Sequence, residues 1–326
     1  MTRRILRRLL QGVLLLWALS VLSFVLAEWA PGDFLSEMRF DPTLSSDTLD
    51  TLRARYGLDE PLHRRYVRWL GSLAQGDLGF SFAHNLPVAE LLAPRVRNTL
   101  LLTAAATLLA WVLALALGTV MAWHAGRWVD RLGLGGIALP LAAHDLLIGL
   151  GALLLAVETG WFPTGGLVSL DHDSLGPWAR LMDRLHHLAL PVGALTLCLL
   201  PSLVHHVRSA VLAGLASPSV AVARGHGVAP RRLLWAYALP LAAPPLVSLF
   251  GFSLARLLSS SFLVEIILGW PGLGPLTHGA IFARDLHVVV GVVLLSGAFM
   301  LAGNLVGDFL LYAVDPRLRD ADGDAV

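Results

Sequence analysis

Six apolar runs, each about nineteen residues or longer, dominate this chain of 326 residues. At about 1.5 Å of rise per residue, a helix of that length matches the hydrocarbon core of a bilayer. Inside lipid every backbone N–H and C=O must be paired within the protein, which leaves only helices and closed barrels. Unbroken apolar runs lack the alternation of a barrel strand. Charged residues make up 14% of the chain, against about 25% in soluble domains, and mean hydropathy is +0.69. The fold class is therefore an all-α membrane protein.

The runs fall at about Leu9–Ala27, Asn98–Trp123, Leu134–Val157, Leu188–Leu212, Leu239–Ile267 and His287–Val314. About a dozen arginines lie in or beside one set of connecting segments, among them Arg3, Arg4, Arg127, Arg131, Arg231 and Arg232. The later loops of the opposite set hold only Arg180, Arg184 and Arg284. The positive-inside rule then predicts six transmembrane helices with both termini cytoplasmic. Residues 1–29 form the first helix, 30–97 an external subdomain, 98–314 a five-helix core and 315–326 a cytoplasmic tail. The first run exceeds the apolar core of a cleaved signal peptide, about 7–15 residues, so it reads as a retained span.

Residues 30–97 are polar, with acids and arginines nearly balanced. Ser45 or Ser46 can cap a helix that runs through Arg55 and stops at Gly57. Pro61 opens another, presenting Leu62, Tyr66, Trp69, Leu70 and Leu73 at helical spacing. Gly76–Ser81, GDLGFS, is turn-rich. The net charge of +1 gives no footprint for nucleic acid. Cys198 is the only cysteine and lies in an apolar run, so it packs as a small hydrophobe.

The most distinctive interruption of the apolar pattern is Ser217–Pro240, SPSVAVARGHGVAPRRLLWAYALP. Ser217 can cap a short helix with Pro218 at its first position. Gly225 or Gly227 can supply the left-handed residue that ends it. Pro230 then opens a second helix through Leu233, Leu234 and Trp235. Arg224, Arg231 and Arg232 place this knuckle on the cytoplasmic side. The plainer reading is a basic loop between two spans.

Polar residues inside the runs draw a functional reading, because a charge at mid-bilayer costs about 2.5–3.5 kcal/mol or more. His144, Asp145, Arg256 and Asp308 are the candidates, with His205, His206, Arg208 and Asn304. They either line a path or pair between helices, Asp145 with Arg256 being the expected pair. The doublets His186-His187 and His205-His206, with Asp171-His172-Asp173, lack the spacing that puts ligands on one helix face. No metal site is expected from them.

Several segments together resemble one known family. They are APGD (30–33), YGLDEPL (56–62), GDLGFS, the Asn98-Thr99-Leu100 entry to span two, GWFPTGG (160–166), the run from Ser261 to Gly291 that holds VEIILGWPGLGPL, and DPRLR near the end. In this order and spacing the chain resembles the permease subunits of binding-protein-dependent ABC importers, the dipeptide/oligopeptide/nickel group. The resemblance implies a type I importer permease in a bacterial inner membrane. It implies that the knuckle, with its helices within 217–235, docks on an ATPase through Ala223, Arg224, Gly227, Arg231 and Arg232. It also implies a loop braced by Glu265 and formed by Trp270, Pro271 and Gly272. Ser219 and the Gly225-His226 pair depart from the family pattern and predict a shorter or frayed first coupling helix.

All 24 basic residues are arginine. A phosphate-binding P-loop needs a lysine, so this chain holds none. The resemblance therefore implies a half-channel without catalytic residues or cofactor of its own. Its implied partners are a second permease subunit, two P-loop ATPase subunits that use the ATP, an external solute-binding protein and membrane lipid. Peptides are the implied cargo, with nickel or another small solute as the alternative. A secondary transporter would have no use for the knuckle. An intramembrane hydrolase pairing His144 with Ser259 or Ser260 finds no support in spacing.

Overall fold

A computed structural model describes residues 2–29 and 60–314. The expected helix at Ser45–Arg55, the APGD segment, most of YGLDEPL and the DPRLR tail lie outside the described residues. The chain divides into two compact units. One contains Met1–Asn98 with Gly272–Phe299, the other Thr99–Pro271 with Met300–Val326.

In the first unit, α1 (Thr2–Trp29) packs against α2 (Leu62–Ala74). The apolar face of α2 follows its spacing at four of the five expected positions, and Leu70 is exposed. Trp69 is buried with Phe24 and Val290, and Leu62, Tyr66 and Leu73 close around them. The Tyr66 and Ser20 hydroxyls are 2.9 Å apart, which satisfies both polar atoms beside an aromatic cluster. GDLGFS ends in the first strand of a two-stranded hairpin, β1 (Phe80–Ser81) with β2 (Leu86–Pro87), Ser81 opposite Leu86. Ser81 Oγ donates to Asp285 Oδ2 at 2.6 Å and Ala83 N donates to the same oxygen at 3.2 Å. The other oxygen of Asp285 accepts from Val288 N, capping the last long helix. One buried carboxylate thus fastens the hairpin to a helix start.

The long helices α3 (Val88–Trp123) and α11 (Leu286–Val314) run through both units, and the short α10 (Leu273–Phe282) precedes α11 in the chain. Span two starts well before Asn98: the helix runs from Val88 and continues through Pro94.

The second unit is built on α6 (Pro177–Leu215), which packs against α4 (Trp128–Ala142), α5 (Asp145–Thr159) and α9 (Leu239–Ile267). Its apolar window is 67% buried, the highest share among the candidate spans. Among the described residues, five helices are long and apolar enough to cross a membrane, or six when the bent pair α4–α5 counts as one.

That pair corrects the expected unbroken span three. The two helices meet at 101°. Ala143 and His144 are extended, and His144 Nδ1 accepts from Leu146 N at 3.3 Å, so His144 caps α5. Asp145 follows in the first turn, where the positive end of the helix dipole favours an acid.

Candidate functional site

Ser217–Leu239 folds as a knuckle in the second unit. Ser217 is the N-cap of α7 (Pro218–Gly225), and its Oγ accepts from Val220 N at 3.4 Å. At the far end Gly227 is left-handed, with φ +77°. Its N–H donates to Arg224 O at 3.0 Å, and Val228 N donates to Ala223 O at 3.2 Å. These two bonds complete a Schellman motif, so the helix end is fastened and the expected fraying is not seen. Gly227 supplies the turn, and Gly225 is the last helical residue.

The second helix of the knuckle differs from its sequence reading. Only Pro230–Arg232 (α8) is α-helical; Leu233–Ala238 is a π turn leading straight into α9. Leu239 N donates to Leu234 O, five residues back. Pro240 follows at once, and its ring would clash with the carbonyl four residues earlier in a regular helix. The wider turn relieves that clash, which is the usual setting for a π segment.

The inner surface of the knuckle is apolar: Val220, Ala223, Leu233, Leu234 and Ala238 are buried. A Cβ on Gly214 would lie 2.5 Å from Ala238 O, so the end of α6 and the π turn meet backbone to backbone. Arg224, Arg231 and Arg232 are exposed on the outer surface, together with Val222 and Trp235, which are 62% and 68% exposed. Sequence reasoning placed Ala223 with the arginines; the fold puts Ala223 inside as packing and leaves the arginines outside.

The polar residues of the spans are placed differently from expectation. Asp145 Oδ2 accepts from Ser260 Oγ at 2.6 Å, joining α5 to α9. No ion pair links Asp145 to Arg256 among the described residues, and the Arg256 side chain is exposed. His144 is exposed at the helix break, and Asp308 is half-buried on α11 beside Gly307. Arg208 belongs to an ion pair that the sequence reading missed. Its Nε and Nη2 donate to the two oxygens of Asp130 at 2.6 and 2.7 Å. Gly126 N donates to the same carboxylate at 2.9 Å. The signal was the Gly126-Arg127-Trp128-Val129-Asp130 turn, where an Asp four residues after a glycine can bond back to its N–H.

The histidine doublets do not face one another as ligands. Asp183 accepts from Ser169 N and lies 2.7 Å from His172 Nδ1 and 3.3 Å from His187 Nδ1. This cluster pins the loop after α5 to the first turns of α6.

At the opposite end of α9, Glu265 is fully buried and accepts from Thr99 Oγ1 at 2.6 Å. A second Schellman motif closes α9: Gly269 is left-handed at φ +58°, and Trp270 N donates to Glu265 O at 2.9 Å. Gly166 N donates to Gly269 O at 3.1 Å, which locks the GWFPTGG loop against this turn. Trp270 is buried in the large apolar cluster of the unit. Pro271 is half-buried and ends the second unit, while Gly272, buried, begins the other segment of the first.

A bent span, a Schellman-closed short helix and a bundle gathered round one buried helix give the chain the architecture of a polytopic helical membrane protein. Residues 91–320 match the family described as binding-protein-dependent transport system inner membrane component, and residues 1–103 match its N-terminal family. The chain belongs to that family of multi-pass inner-membrane proteins. It is 33% identical to the oligopeptide transport system permease protein AppB of Bacillus subtilis, over 98% of this chain and 100% of that one. It is 31% identical to the di/tripeptide transport system permease protein DppB of Pseudomonas aeruginosa, covering 93% and 94%. It is 30% identical to the glutathione transport system permease protein GsiC of Escherichia coli, covering 98% and 99%. A solved chain of the MetNI methionine ABC transporter in its inward-facing form shares the fold. Its TM-score is 0.55 at 19% identity, over 69% of this chain and 96% of that one.

Proposed function

We propose that this chain forms half of the translocation path of an ATP-driven importer of peptides. Its membrane-buried bundle pairs with a second permease subunit, and an external solute-binding protein delivers the cargo. Two separate P-loop ATPase subunits supply the energy, since a chain without lysine holds no P-loop of its own. Both termini face the cytoplasm, and residues 30–97 lie largely outside.

The observation that carries this reading is the knuckle. The α7 helix is capped at both ends and fused by buried apolar contacts to the π turn at the head of α9. A push on α7 is therefore passed to α6 and α9 together. The exposed Val222 and Trp235, ringed by Arg224, Arg231 and Arg232, form an amphipathic surface suited to a groove on an ATPase. Peptide cargo is favoured by the oligopeptide, di/tripeptide and glutathione permeases to which the chain is similar. The braced turn at Glu265, Trp270, Pro271 and Gly272 keeps the far end of α9 fixed while the knuckle moves.

The test is a mild-detergent purification from native membranes with mass spectrometry of the associated chains. A second six-span permease and two P-loop ATPases are expected. Recovery of this chain alone, transporting in liposomes without ATP, would overturn the proposal.

A further inference from the structure

Two opposite charges stand near each other in the second unit without pairing. Asp145 opens α5 at the break in span three and is half-buried; Arg256, on α9, is exposed. Cys198 on α6 lies beside both, its thiol within hydrogen-bond reach of the Asp145 carboxylate and within electrostatic reach of Arg256. Asp145 Oδ2 accepts from Ser260 Oγ at 2.6 Å. Ser260 follows Arg256 by four residues, which puts the two on one face of α9. Hydroxyl and thiol are neutral donors, so they do not balance a carboxylate charge. Arg256 makes no hydrogen bond or ion pair among the described residues.

These residues lie deep in the bundle. Cys198 is near the middle of α6, Arg256 in the middle third of α9, and the break at Ala143-His144 midway through the bent pair α4–α5. An arginine at such a depth faces the bundle interior or a water-filled cavity, because lipid cannot solvate it. Backbone that leaves the helix at membrane depth persists where protein buries it or where it lines water. His144, at the break, is exposed rather than buried. Arginine and break together therefore select a wet surface between α5 and α9. Phe252, one turn before Arg256 and 60% exposed, and exposed Ser259 continue that surface along α9.

The chemistry of this surface is that of an unfilled dipole, one cation and one anion beside an aromatic ring. A short peptide in its zwitterionic form carries the complementary groups. A guanidinium fork matches a carboxylate with two parallel bonds. A carboxylate offers about four acceptor sites, so one bonded to a serine and a thiol can still receive an ammonium group. The ring of Phe252 supplies apolar contact for cargo side chains.

We propose that Arg256 and Asp145 form a contact station on the translocation path, Arg256 holding the carboxylate end of a passing short peptide and Asp145 its ammonium end. The inference rests on the peptide-import function proposed above and adds the residues that meet the cargo.

The experiment uses the assembled importer in native membrane vesicles, with Cys198→Ser removing the only cysteine of this chain and Ser259→Cys placing a reporter beside Arg256. A membrane-impermeant methanethiosulfonate, present on both sides, is expected to modify the reporter. Trialanine should slow that modification. Adding Arg256→Gln should raise the trialanine concentration needed by about tenfold, the loss of one charge-assisted bond, and Arg256→Lys should recover part of it. C-terminally amidated trialanine should protect parent and Arg256→Gln alike. Should Arg256→Gln fail to fold, Asp145→Asn carries the same test: free trialanine should protect about tenfold less well, and N-acetylated trialanine as in the parent. No modification from water would place this face against lipid or the second permease subunit and overturn the proposal. Equal protection of parent and variants by free trialanine overturns it as well. ATP-driven trialanine uptake is measured in the same vesicles. Its absence refutes the peptide-import reading itself, whereas uptake with equal protection refutes the contact station alone.

Discussion

Asp130, in the first turn of α4, and Arg208, near the C-terminal end of α6, meet as a two-pronged ion pair with Asp130 only 2% exposed. Two desolvated charges gain little as a pair, but losing one strands the other. Arg208→Ala should destabilise the detergent-solubilised protein by about 3 kcal/mol, seen as a lower unfolding temperature and poor yield. The Asp130→Asn/Arg208→Gln double variant should recover part of that loss. A double variant as unstable as the single would show that the pair does not hold these helices together.

Gly227 tests the knuckle. At φ +77° any other residue costs about 1–2 kcal/mol locally, and proline cannot adopt the angle at all. Gly227→Pro should insert in the membrane normally yet fail to link ATP hydrolysis to uptake. Normal ATP-linked uptake by this variant would remove the basis for a rigid coupling segment.

Asp145 and Arg256 offer a different test. Because Asp145 takes its hydrogen bond from Ser260, neutralising Asp145 and Arg256 together should rescue nothing. Ser260→Ala should mimic Asp145→Asn in transport assays, each costing about 1–2 kcal/mol of stability. Rescue by the double neutralisation would restore the ion-pair reading.

Gly251 and Gly307 bring α9 and α11 together. A Cβ on Gly251 would fall 2.8 Å from Gly307 Cα, backbone that cannot yield. Gly251→Val should cost about 1–3 kcal/mol through overpacking. Gly135→Ala, with open space around its Cβ, should be neutral or gain up to about 1 kcal/mol. Thermal unfolding of the two variants side by side checks both, and equal curves would contradict the close crossing.

Buried Glu265 gives a further expectation. Thr99→Val removes the 2.6 Å donor and should cost about 1–3 kcal/mol, whereas Thr99→Ser should be nearly silent. A silent Thr99→Val would show that the bond contributes nothing to the fold.

Much of this was legible in sequence because the relevant signals are local. Apolar run length located the spans; Ser217-Pro218 and Gly227 marked both ends of α7; the face of α2 followed from four of five apolar residues at helical spacing. What stayed hidden depends on tertiary partners or on backbone detail that hydropathy averages away. The break at Ala143-His144 sits within one apolar window, so a count of hydrophobic residues runs straight across it. Arg208 looked like an unpaired intramembrane charge because its partner lies 78 positions earlier. Asp145 found a serine on α9 where charge alone pointed to Arg256.

The π turn at Leu233–Ala238 fixes an angular phase. In a regular helix each residue advances the side-chain direction by about 100°. A turn that spans five residues to its bond partner consumes one residue more than a regular ladder would. Everything beyond Leu239 is thereby offset by roughly a quarter of a revolution relative to a plain helix begun at Pro230. Ser260 reaches Asp145, and Gly251 reaches Gly307, only at this setting of the dial. One extra residue beside Trp235 thus aligns the knuckle with contacts about four to seven helical turns away.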